Sequence, residues 1–452
     1  MNGNATVVGG GLAGLVAAAR LAEAGADVTL FERRPEVGGR VRTETVDGFT
    51  LDRGFQVLFT SYPAVGRELG VEDDGGPASV ADALDLRTFA PGATICRPGS
   101  RSVLSDPFRD PRSAVESALN TEISVSDKLR TLALRYDLAK RAERDGADEA
   151  FFAGPDASIR EYLRDWGFGE AYVEHFVEPF YGGITLDRTL STSKGPFEYT
   201  FRAMSRGAIG VPAAGMRAFP EALERRAREA GVDVQTGEAV ESIRIAGQGR
   251  IPFRTGAGDD DGATVELADG STRETDAVVV AASPPEARRL TGVDAIPTEA
   301  VPNVTGWYTL PAGLDFETGK RILLNAADDS PNAVIPMSEV APEYAPDGRA
   351  LLVATFLGEA AVERDDGDLR EDVRDALTAW FPERGFEGLE TVSVHRIQFA
   401  QFAQPPGFRE GLPEPDEPDG PVVLAGDYTE WSAIQGALAS GRRAAATAGE
   451  YL

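Results

Sequence analysis

The spacing of apolar residues changes twice within the first part of the chain. Thr6 to Gly9 is a short β-branched run that predicts a strand, and the segment LVAAARLAEAG from Leu15 to Gly25 has helical periodicity. A second apolar run, Asp27 to Phe31, predicts another strand. The order strand, turn, helix, strand over about 30 residues predicts a βαβ unit.

The turn between the first strand and the helix has the spacing G-x-G-x-x-G. Gly9 permits the turn, Gly11 lets the backbone approach a pyrophosphate, and Gly14 allows the helix to pack on the strand. The free N–H groups of the helix start favour phosphate, and the carboxylate of Glu32 can accept hydrogen bonds from a ribose. The predicted contacts are Gly9, Gly11, Leu12, Ala13, Gly14 and Glu32. This unit predicts a dinucleotide site and leaves NAD and FAD open.

The next segment narrows that choice. Arg33 to Thr43 reads RRPEVGGRVRT and, following the glycine turn, resembles the flavin amine oxidase and carotenoid desaturase superfamily. Arg33 and the glycine pair of Gly38 and Gly39 would lie close to the cofactor, and Arg40 supplies a forked cation for a pyrophosphate oxygen. The resemblance therefore implies FAD.

A second stretch, DGFTLDRGFQVL, resembles another flavin-contacting loop of that superfamily. Asp52, Gly54, Phe55 and Gln56 occupy the matching positions, and the last three are predicted cofactor contacts.

The C-terminal segment resembles the same superfamily. Val422 to Ala425 predicts a strand, Gly426 and Asp427 follow it, and helical periodicity returns from Ser432. The resemblance implies that Asp427 binds the ribitol chain. It also implies that backbone N–H groups near Ile434 and Gly436 face the flavin, where the helix dipole would stabilise the reduced form.

The middle of the chain is predicted to contribute further elements to the FAD-binding domain. A predicted helix from Gly215 is followed by alternating strands, and Val240 would contact the adenine through its backbone by resemblance. Residues 251–275 predict a strand meander broken by the acidic turn GAGDDDG, and Ala277 to Ala282 predicts a buried strand. We therefore expect one parallel sheet assembled from three separated stretches.

The predicted fold class is α/β: a Rossmann-like FAD-binding domain, with a parallel sheet and a β-meander, plus a mixed α+β substrate domain. The helical runs Ser124 to Asp148 and Ser158 to Phe180 lie in the first insertion, and strand-like runs such as Val301 to Leu310 lie in the second. The predicted FAD-binding segments are 1–58, 208–289 and 422–452, and the substrate segments are 59–207 (mainly helical) and 290–421 (sheet-rich).

Composition excludes several classes of protein and ligand. The 452 residues are 42% apolar and 26% charged, as in a folded globular protein. One cysteine and two histidines argue against a metal site, and a net charge of −28 argues against nucleic acid and an anionic membrane as partners. Lysine provides only 4 of the 45 basic residues, and this acidic, lysine-poor composition resembles proteins of salt-loving archaea. It predicts a halophilic protein.

The sequence also predicts where the protein acts. No apolar run reaches the ~20 residues of a spanning helix, and the N-terminus lacks a basic segment before its apolar stretch. We therefore expect a cytoplasmic protein without a transmembrane segment. Peripheral contact with a membrane through an exposed apolar loop stays open.

The catalytic residues are unknown at this stage. Amine-oxidising relatives place a tyrosine three residues before the glycine that corresponds to Gly436, where this chain has Ala433. Lys194, Lys320, His175 and His395 lie in no motif that assigns them a role. Trp431 either lines the cavity or packs beside it. Cys96 is far from the C-terminal strand in sequence, so noncovalent FAD is predicted.

Three functional hypotheses follow. The first is an FAD-dependent oxidoreductase that takes a hydride from a largely apolar substrate of isoprenoid, carotenoid or porphyrinogen type and passes electrons to oxygen or a quinone-like acceptor. The second is a flavin-dependent amine oxidase with an atypical cage, and the third is a flavin-binding module without catalysis.

Overall fold

A computed structural model describes the chain except for residues 1–2, 72–75, 107–108, 112–116, 118–119, 121, 146–149, 246–261, 312–316 and 347. The strands are β1 Asn4–Val8, β2 Asp27–Glu32, β3 Thr43–Val46, β4 Phe49–Asp52, β5 Leu58–Phe59, β6 Leu86–Thr88, β7 Ala93–Arg97, β8 Ser100–Leu104, β9 Ile209–Pro212, β10 Asp233–Thr236, β11 Val240–Ile245, β12 Ala263–Leu267, β13 Thr272–Thr275, β14 Ala277–Val280, β15 Ala300–Leu310, β16 Ile322–Asn325, β17 Ala333–Ile335, β18 Ala350–Leu357, β19 Glu390–Phe402 and β20 Val422–Leu424.

The α-helices are α1 Leu12–Glu23, α2 Pro63–Glu68, α3 Pro77–Ala83, α4 Val125–Asp145, α5 Ile159–Asp165, α6 Glu170–Tyr172, α7 Glu178–Thr185, α8 Lys194–Arg206, α9 Ala218–Glu229, α10 Pro284–Thr291, α11 Met337–Val340, α12 Glu359–Val362, α13 Asp366–Trp380 and α14 Ile434–Ala448. A π-helical turn, Val173–Val177, joins α6 to α7. None of the described helices is long and apolar enough to cross a bilayer.

A five-stranded parallel sheet has the order β10-β2-β1-β14-β20. Its central strands are apolar on both faces, as expected for a sheet covered by helices on each side; Val279 of β14, for example, is fully buried. The strands come from the beginning, middle and end of the chain, as the sequence predicts. The C-terminal strand β20 therefore completes the sheet by pairing with β14 at its edge.

Small residues bring α1 and α14 into close contact. A Cβ atom added to Gly441 of α14 would lie 2.3 Å from the carbonyl oxygen of Ala13. Ala17 and Ala18 of α1 and Ala444 of α14 are buried without any exposed surface. Only helices with such short side chains approach at backbone distance, so this contact closes the nucleotide domain around the first and last helices.

A second, mixed sheet has the order β19-β15-β18-β17-β16-β7-β8. Leu369, Val373 and Leu377 of α13 are fully buried in the core that covers part of this sheet. The strand-like runs predicted in residues 290–421 are present as β15, β16 and β18. The first insertion was predicted to be mainly helical. It also contributes β7 and β8, which were not predicted and which complete this sheet. The observed fold is mixed α/β, as predicted.

Smaller elements differ locally from the sequence expectation. The run Ser158 to Phe180 contains more than one helix, because Gly167 takes a left-handed φ of +77° after α5. The meander is present as the antiparallel order β11-β12-β13. Its acidic turn lies outside the described residues. Two further small sheets have the orders β5-β9-β6 and β3-β4.

Replacement of Gly441 by alanine tests the contact between α1 and α14. The added methyl group would meet the Ala13 carbonyl, so the helices must separate, and we expect a loss of roughly 1–3 kcal/mol in the free energy of unfolding. Chemical denaturation of the purified protein measures this loss. Gly411→Ala is the control, because its added Cβ meets nothing within 4 Å. Equal stability of the two variants would contradict the assignment.

Candidate functional site

The glycine turn has the conformation that its spacing predicts. Gly9 has a φ of +110°, and its N–H donates to the carbonyl of Phe31 at 2.8 Å. A Cβ on Gly14 would lie 2.0 Å from the Gly9 carbonyl oxygen. Larger residues at these two positions would push α1 away from the sheet, so both glycines are needed for the turn.

Gly11 differs from its neighbours because its missing side chain faces open space. The nearest atom to a Cβ placed there is the Cα of Gly39, at 4.0 Å. The N–H of Gly38 donates to the Gly10 carbonyl at 2.8 Å, which holds the glycine pair opposite the turn. Leu12 and Ala13 begin α1 beside this space. Gly11 caps the helix without a side chain that could bond its free N–H groups.

Glu32 and its neighbours fix the loop after β2. The buried Glu32 carboxylate accepts from the N–H of Gly10 at 2.7 Å and from the N–H of Arg34 at 2.9 Å. Arg34 also donates through Nη1 to the carbonyl of Gly39 at 3.1 Å. Arg33, in contrast, is exposed. Arg34, which is not among the predicted contacts, therefore bonds to the glycine pair.

Arg40 joins the first segment of the chain to the last. Its Nη2 lies 2.5 Å from Oδ1 of Asp427, whose side chain is 4% exposed. Its Nη1 donates to the carbonyl of Ala400 in β19 at 3.2 Å, and Gln56 Nε2 donates to the Arg40 carbonyl at 3.2 Å. Three separate segments thus meet at the Arg40 guanidinium group, and Gln56 holds the Arg40 backbone.

The start of α14 lies next to Asp427. Ser432 Oγ donates to Asp427 Oδ2 at 2.9 Å, and the N–H of Gly426 donates to Ser440 Oγ at 2.8 Å. A Cβ on Gly436 would lie 2.1 Å from the Trp431 carbonyl oxygen, which explains the glycine. The helix begins at Ile434 after Ala433, which has no capping side chain, so the first N–H groups are available to a ligand.

Three further predicted contacts, Gly54, Phe55 and Val240, lie on the flanks of this region. Gly54 has a φ of +92°, and its added Cβ would meet Ile397 of β19 at 3.0 Å. The ring of Phe55 packs edge-on against Phe89 with centroids 6.2 Å apart. Val240 is buried at the start of β11, two residues after Glu238, whose N–H donates to the Glu32 carbonyl at 3.0 Å. Val240 therefore lies near the ribose-binding end predicted for β2.

The comparison with known proteins gives the family. A family model for flavin containing amine oxidoreductases matches residues 12–448. The chain belongs to this family. It is therefore an FAD-dependent oxidoreductase, and the predicted superfamily and enzyme class are confirmed.

Individual relatives support the same assignment. A probable zeta-carotene desaturase of Synechococcus elongatus is 25% identical over 493 residues, with 97% of each chain covered. A carotenoid 3,4-desaturase of Haloarcula japonica is 27% identical over 306 residues, covering 63% of this chain and 56% of the relative. The solved structure of an oxidoreductase from Methanosarcina mazei has a TM-score of 0.70 at 18% identity and covers 97% of this chain and 99% of its own, a likeness that shows the fold.

The two histidines of this flavin oxidoreductase have carboxylate neighbours. Nε2 of His395 lies 2.5 Å from Glu44 Oε1, and Nδ1 of His175 lies 3.1 Å from Glu122 Oε2. The His395 contact joins β19 to β3. Both histidines thus lie beside carboxylates that are not among the predicted flavin contacts.

Lys194 and Lys320 have different surroundings. Lys194 donates to the carbonyl of Pro155 at 2.6 Å, and Lys320 is exposed with a φ of +61°. Trp431 is 5% exposed and packs against the rings of Tyr62, Phe152 and Tyr199. Its ring contacts favour packing over the lining of a cavity.

The buried carboxylate of Asp52 joins the predicted FAD-binding segment 1–58 to the predicted substrate segment 290–421. Asp52 Oδ1 accepts from Thr43 Oγ1 at 2.5 Å and from the N–H of Met216 at 2.8 Å. Its Oδ2 accepts from Tyr344 Oη at 2.8 Å, and its carbonyl accepts from Trp307 Nε1 at 3.2 Å. Burial raises the pKa of the Asp52 carboxyl, against these hydrogen bonds. Asp52 is therefore a junction between segments, two residues before Gly54.

Several residues of the site carry no motif of their own. Arg34, Ser432 and Ser440 contact Gly39, Asp427 and Gly426, which lie 5, 5 and 14 residues away, and no sequence motif marks these three side chains. Gln435 could have been suspected as a polar residue in an apolar helix; its Oε1 accepts from the N–H of Ala64 at 3.0 Å.

Removal of the Asp52 carboxylate tests this junction. Asp52→Ala leaves the buried donors of Met216 and Tyr344 without their partner, and we expect a loss of roughly 1–3 kcal/mol in the free energy of unfolding. Chemical denaturation measures it. An Asp52→Ala variant as stable as the wild type would show that the contacts carry little energy.

Asp52→Asn provides the pH test. Because the folded-state pKa of Asp52 is raised, its contribution to stability is full below the unfolded pKa of about 3.9 and is lost as pH rises through the folded value. The unfolding free energy of the wild type, relative to Asp52→Asn, should therefore fall as pH rises above about 4. A difference in unfolding free energy between the two proteins that does not change with pH would contradict the raised pKa of Asp52.

Proposed function

We propose that the protein binds FAD noncovalently and oxidises a largely apolar small molecule of isoprenoid, carotenoid or porphyrinogen type. The observation that carries this proposal is the convergence of the Gly11 space, Arg40, Asp427 and the open start of α14. Oxygen or a quinone-like acceptor would take the electrons. The predicted segments, with 1–58, 208–289 and 422–452 holding FAD and the two insertions holding the substrate, belong to the same proposal.

The residues present fit a dinucleotide. The space at Gly11 is one that a Cβ would fill, and it lies between the start of α1 and the glycine pair. Arg40 would contact the pyrophosphate, Asp427 the ribitol and Glu32 the adenosine ribose. Neither Gly11 nor Ala433 supplies a capping side chain, and the first turns of α1 and α14 contain no acidic residue. Both helix starts thus favour groups that carry negative charge.

The proposed contacts include the remaining predicted residues. Gly9, Leu12, Ala13 and Gly14 shape the start of α1, and Gly38 and Gly39 shape the opposing loop. Gly54, Phe55, Gln56, Val240, Gly426, Ile434 and Gly436 flank these groups. Arg33 is the weakest member of the predicted set because its side chain is exposed.

A bound flavin supplies hydride acceptance at its ring system. The residues of this chain would orient an oxidisable C–H bond of the substrate towards the flavin and exclude water. The N–H groups at the start of α14 would stabilise negative charge next to Ile434. No charged catalytic residue is needed for this reaction.

An apolar substrate is favoured over an amine for two reasons. Ala433 stands where amine-oxidising members of the superfamily have a tyrosine, so one wall of an aromatic cage is missing. The relatives that match over much of the chain include a probable zeta-carotene desaturase and a carotenoid 3,4-desaturase. Amine oxidation and flavin binding without catalysis are the alternatives that the experiment below separates.

Cys96 is unsuited to a covalent flavin bond. It is fully buried in β7 and belongs to the core that contains α13. Burial raises the pKa of its thiol above the ordinary range, and a neutral thiol is a poor nucleophile. Acid precipitation should therefore release FAD into the supernatant.

Anaerobic reduction tests the proposed reaction. Purified holoprotein is mixed with a detergent-solubilised polyene precursor, with a porphyrinogen, or with primary and polyamines, and the flavin absorbance is followed. We expect bleaching with an apolar donor and none with amines. Bleaching by amines alone would establish the amine oxidase alternative. No bleaching by any donor, with stoichiometric FAD present, would support the non-catalytic module.

Arginine substitutions test the cofactor contacts. Arg40→Ala removes the guanidinium group that meets Asp427, and we expect FAD affinity to fall at least about tenfold, since a charge-assisted hydrogen bond contributes about 1.5–3 kcal/mol. Titration of apoprotein with FAD, followed by flavin fluorescence, measures the change. Arg33→Ala is the matched control and should bind FAD as the wild type does. Equal losses of FAD affinity in both variants would show that Arg40 makes no specific contribution to FAD binding.

A further inference from the structure

The C-terminal end of β19 lies next to the ion pair of Arg40 and Asp427. The carbonyl of Ala400, near the end of the strand, accepts from Arg40 Nη1 at 3.2 Å. Gln404, two residues after the strand, is 5% exposed, and its Oε1 accepts from the backbone N–H of Ser432 at 2.8 Å. Residues 400–404 are therefore bonded at two points to the predicted FAD-binding segments.

Ser432 connects Gln404 to the Asp427 carboxylate. Its backbone N–H donates to Gln404, and its Oγ donates to Asp427 Oδ2 at 2.9 Å. Asp427 Oδ1 lies 2.5 Å from Arg40 Nη2. Each oxygen of the buried carboxylate thus has a partner in the protein, which fixes the orientation of the group. Together with the bond from Arg40 to Ala400, these contacts close a ring that begins and ends in residues 400–404.

The Asp427 carboxylate keeps acceptor capacity for a ligand. A carboxylate has about four lone-pair sites on its two oxygens, and the side-chain contacts with Arg40 and Ser432 use one on each oxygen. Ribitol hydroxyls, which the proposed function assigns to Asp427, would donate to the sites that remain. Because a hydrogen bond weakens steeply when its angle is poor, the orientation of the carboxylate sets the strength of this contact.

Gln404 is itself held by the main chain on both sides. Its carbonyl accepts from the N–H of Ser193 at 2.8 Å, and the Ser193 side chain caps α8 by accepting from the N–H of Gly195 at 3.1 Å. Pro405 follows Gln404 in the sequence and restricts its backbone to extended conformations. Gln404 therefore contacts the predicted substrate segment 59–207 through its main chain and the predicted FAD-binding segment 422–452 through its side chain.

We propose that Gln404 is a positioning residue for the cofactor. It orients Ser432, Ser432 orients the Asp427 carboxylate, and the carboxylate held in this way binds the ribitol chain of FAD. The identity of the cofactor in this inference rests on the proposed function. Gln404 is assigned no contact with FAD, so its effect on FAD binding must pass through Ser432.

Titration of apoprotein with FAD, followed by flavin fluorescence, tests the role of Gln404. Gln404→Met keeps an unbranched side chain but removes the acceptor, and we expect the Kd for FAD to rise roughly three- to tenfold, as for the loss of one hydrogen bond. Gln404→Glu keeps an acceptor and should retain most of the affinity. The matched control is Gln401→Met, which should keep the wild-type Kd because Gln401 Nε2 donates to the Ile184 carbonyl instead.

A double-mutant cycle tests the route through Ser432. Ser432→Ala removes the hydroxyl that donates to Asp427 and keeps the backbone N–H, so the Kd should rise at least as much as in Gln404→Met. If Gln404 acts through Ser432, the double variant should bind FAD about as weakly as Ser432→Ala alone. Losses of affinity that multiply in the double variant would overturn the proposal. The unfolding midpoint of each apoprotein shows that the fold is retained.

The FAD titration also separates this inference from the proposed function, because it needs no substrate. A Gln404→Met variant with the wild-type Kd, or with the same loss as Gln401→Met, would overturn the role of Gln404 and leave the proposed reaction standing. The expected losses, in a protein whose flavin no apolar donor bleaches, would support the role of Gln404 and remove the proposed reaction. A wild type that binds no FAD would remove both.

Discussion

The close contact between α1 and α14 is the constraint on which the rest of the molecule depends. Gly441 lies against the Ala13 carbonyl, and α1 itself is held to the sheet by Gly14 against the Gly9 carbonyl. These contacts at backbone distance place the start of α14 beside the glycine turn. Arg40 follows the glycine pair and Asp427 precedes α14, so their ion pair joins the same two ends of the chain. The residues predicted to bind the cofactor thus come from both packed ends.

Hydrogen bonds join the predicted FAD-binding segments to the second predicted insertion. Arg40 reaches β19 through the Ala400 carbonyl, and Asp52 reaches the second sheet through Trp307 and Tyr344. A buried carboxylate with donors from separate segments is costly unless each donor is in place. The segment between Arg40 and Gln56, a predicted flavin contact, is therefore held from both sides.

The sequence by itself determined the elements whose signal is local. The turn at Gly9, Gly11 and Gly14, the strand that ends at Glu32 and the apolar strand before Asp427 follow from spacing and periodicity. Only the tertiary structure decided which residues meet across the chain. Asp52 meets Tyr344 and Trp307 from a distant segment, and β7 and β8 join a sheet formed mainly by later segments. The physical reason is that local patterns report backbone preference, whereas burial and pairing depend on segments far apart in the chain.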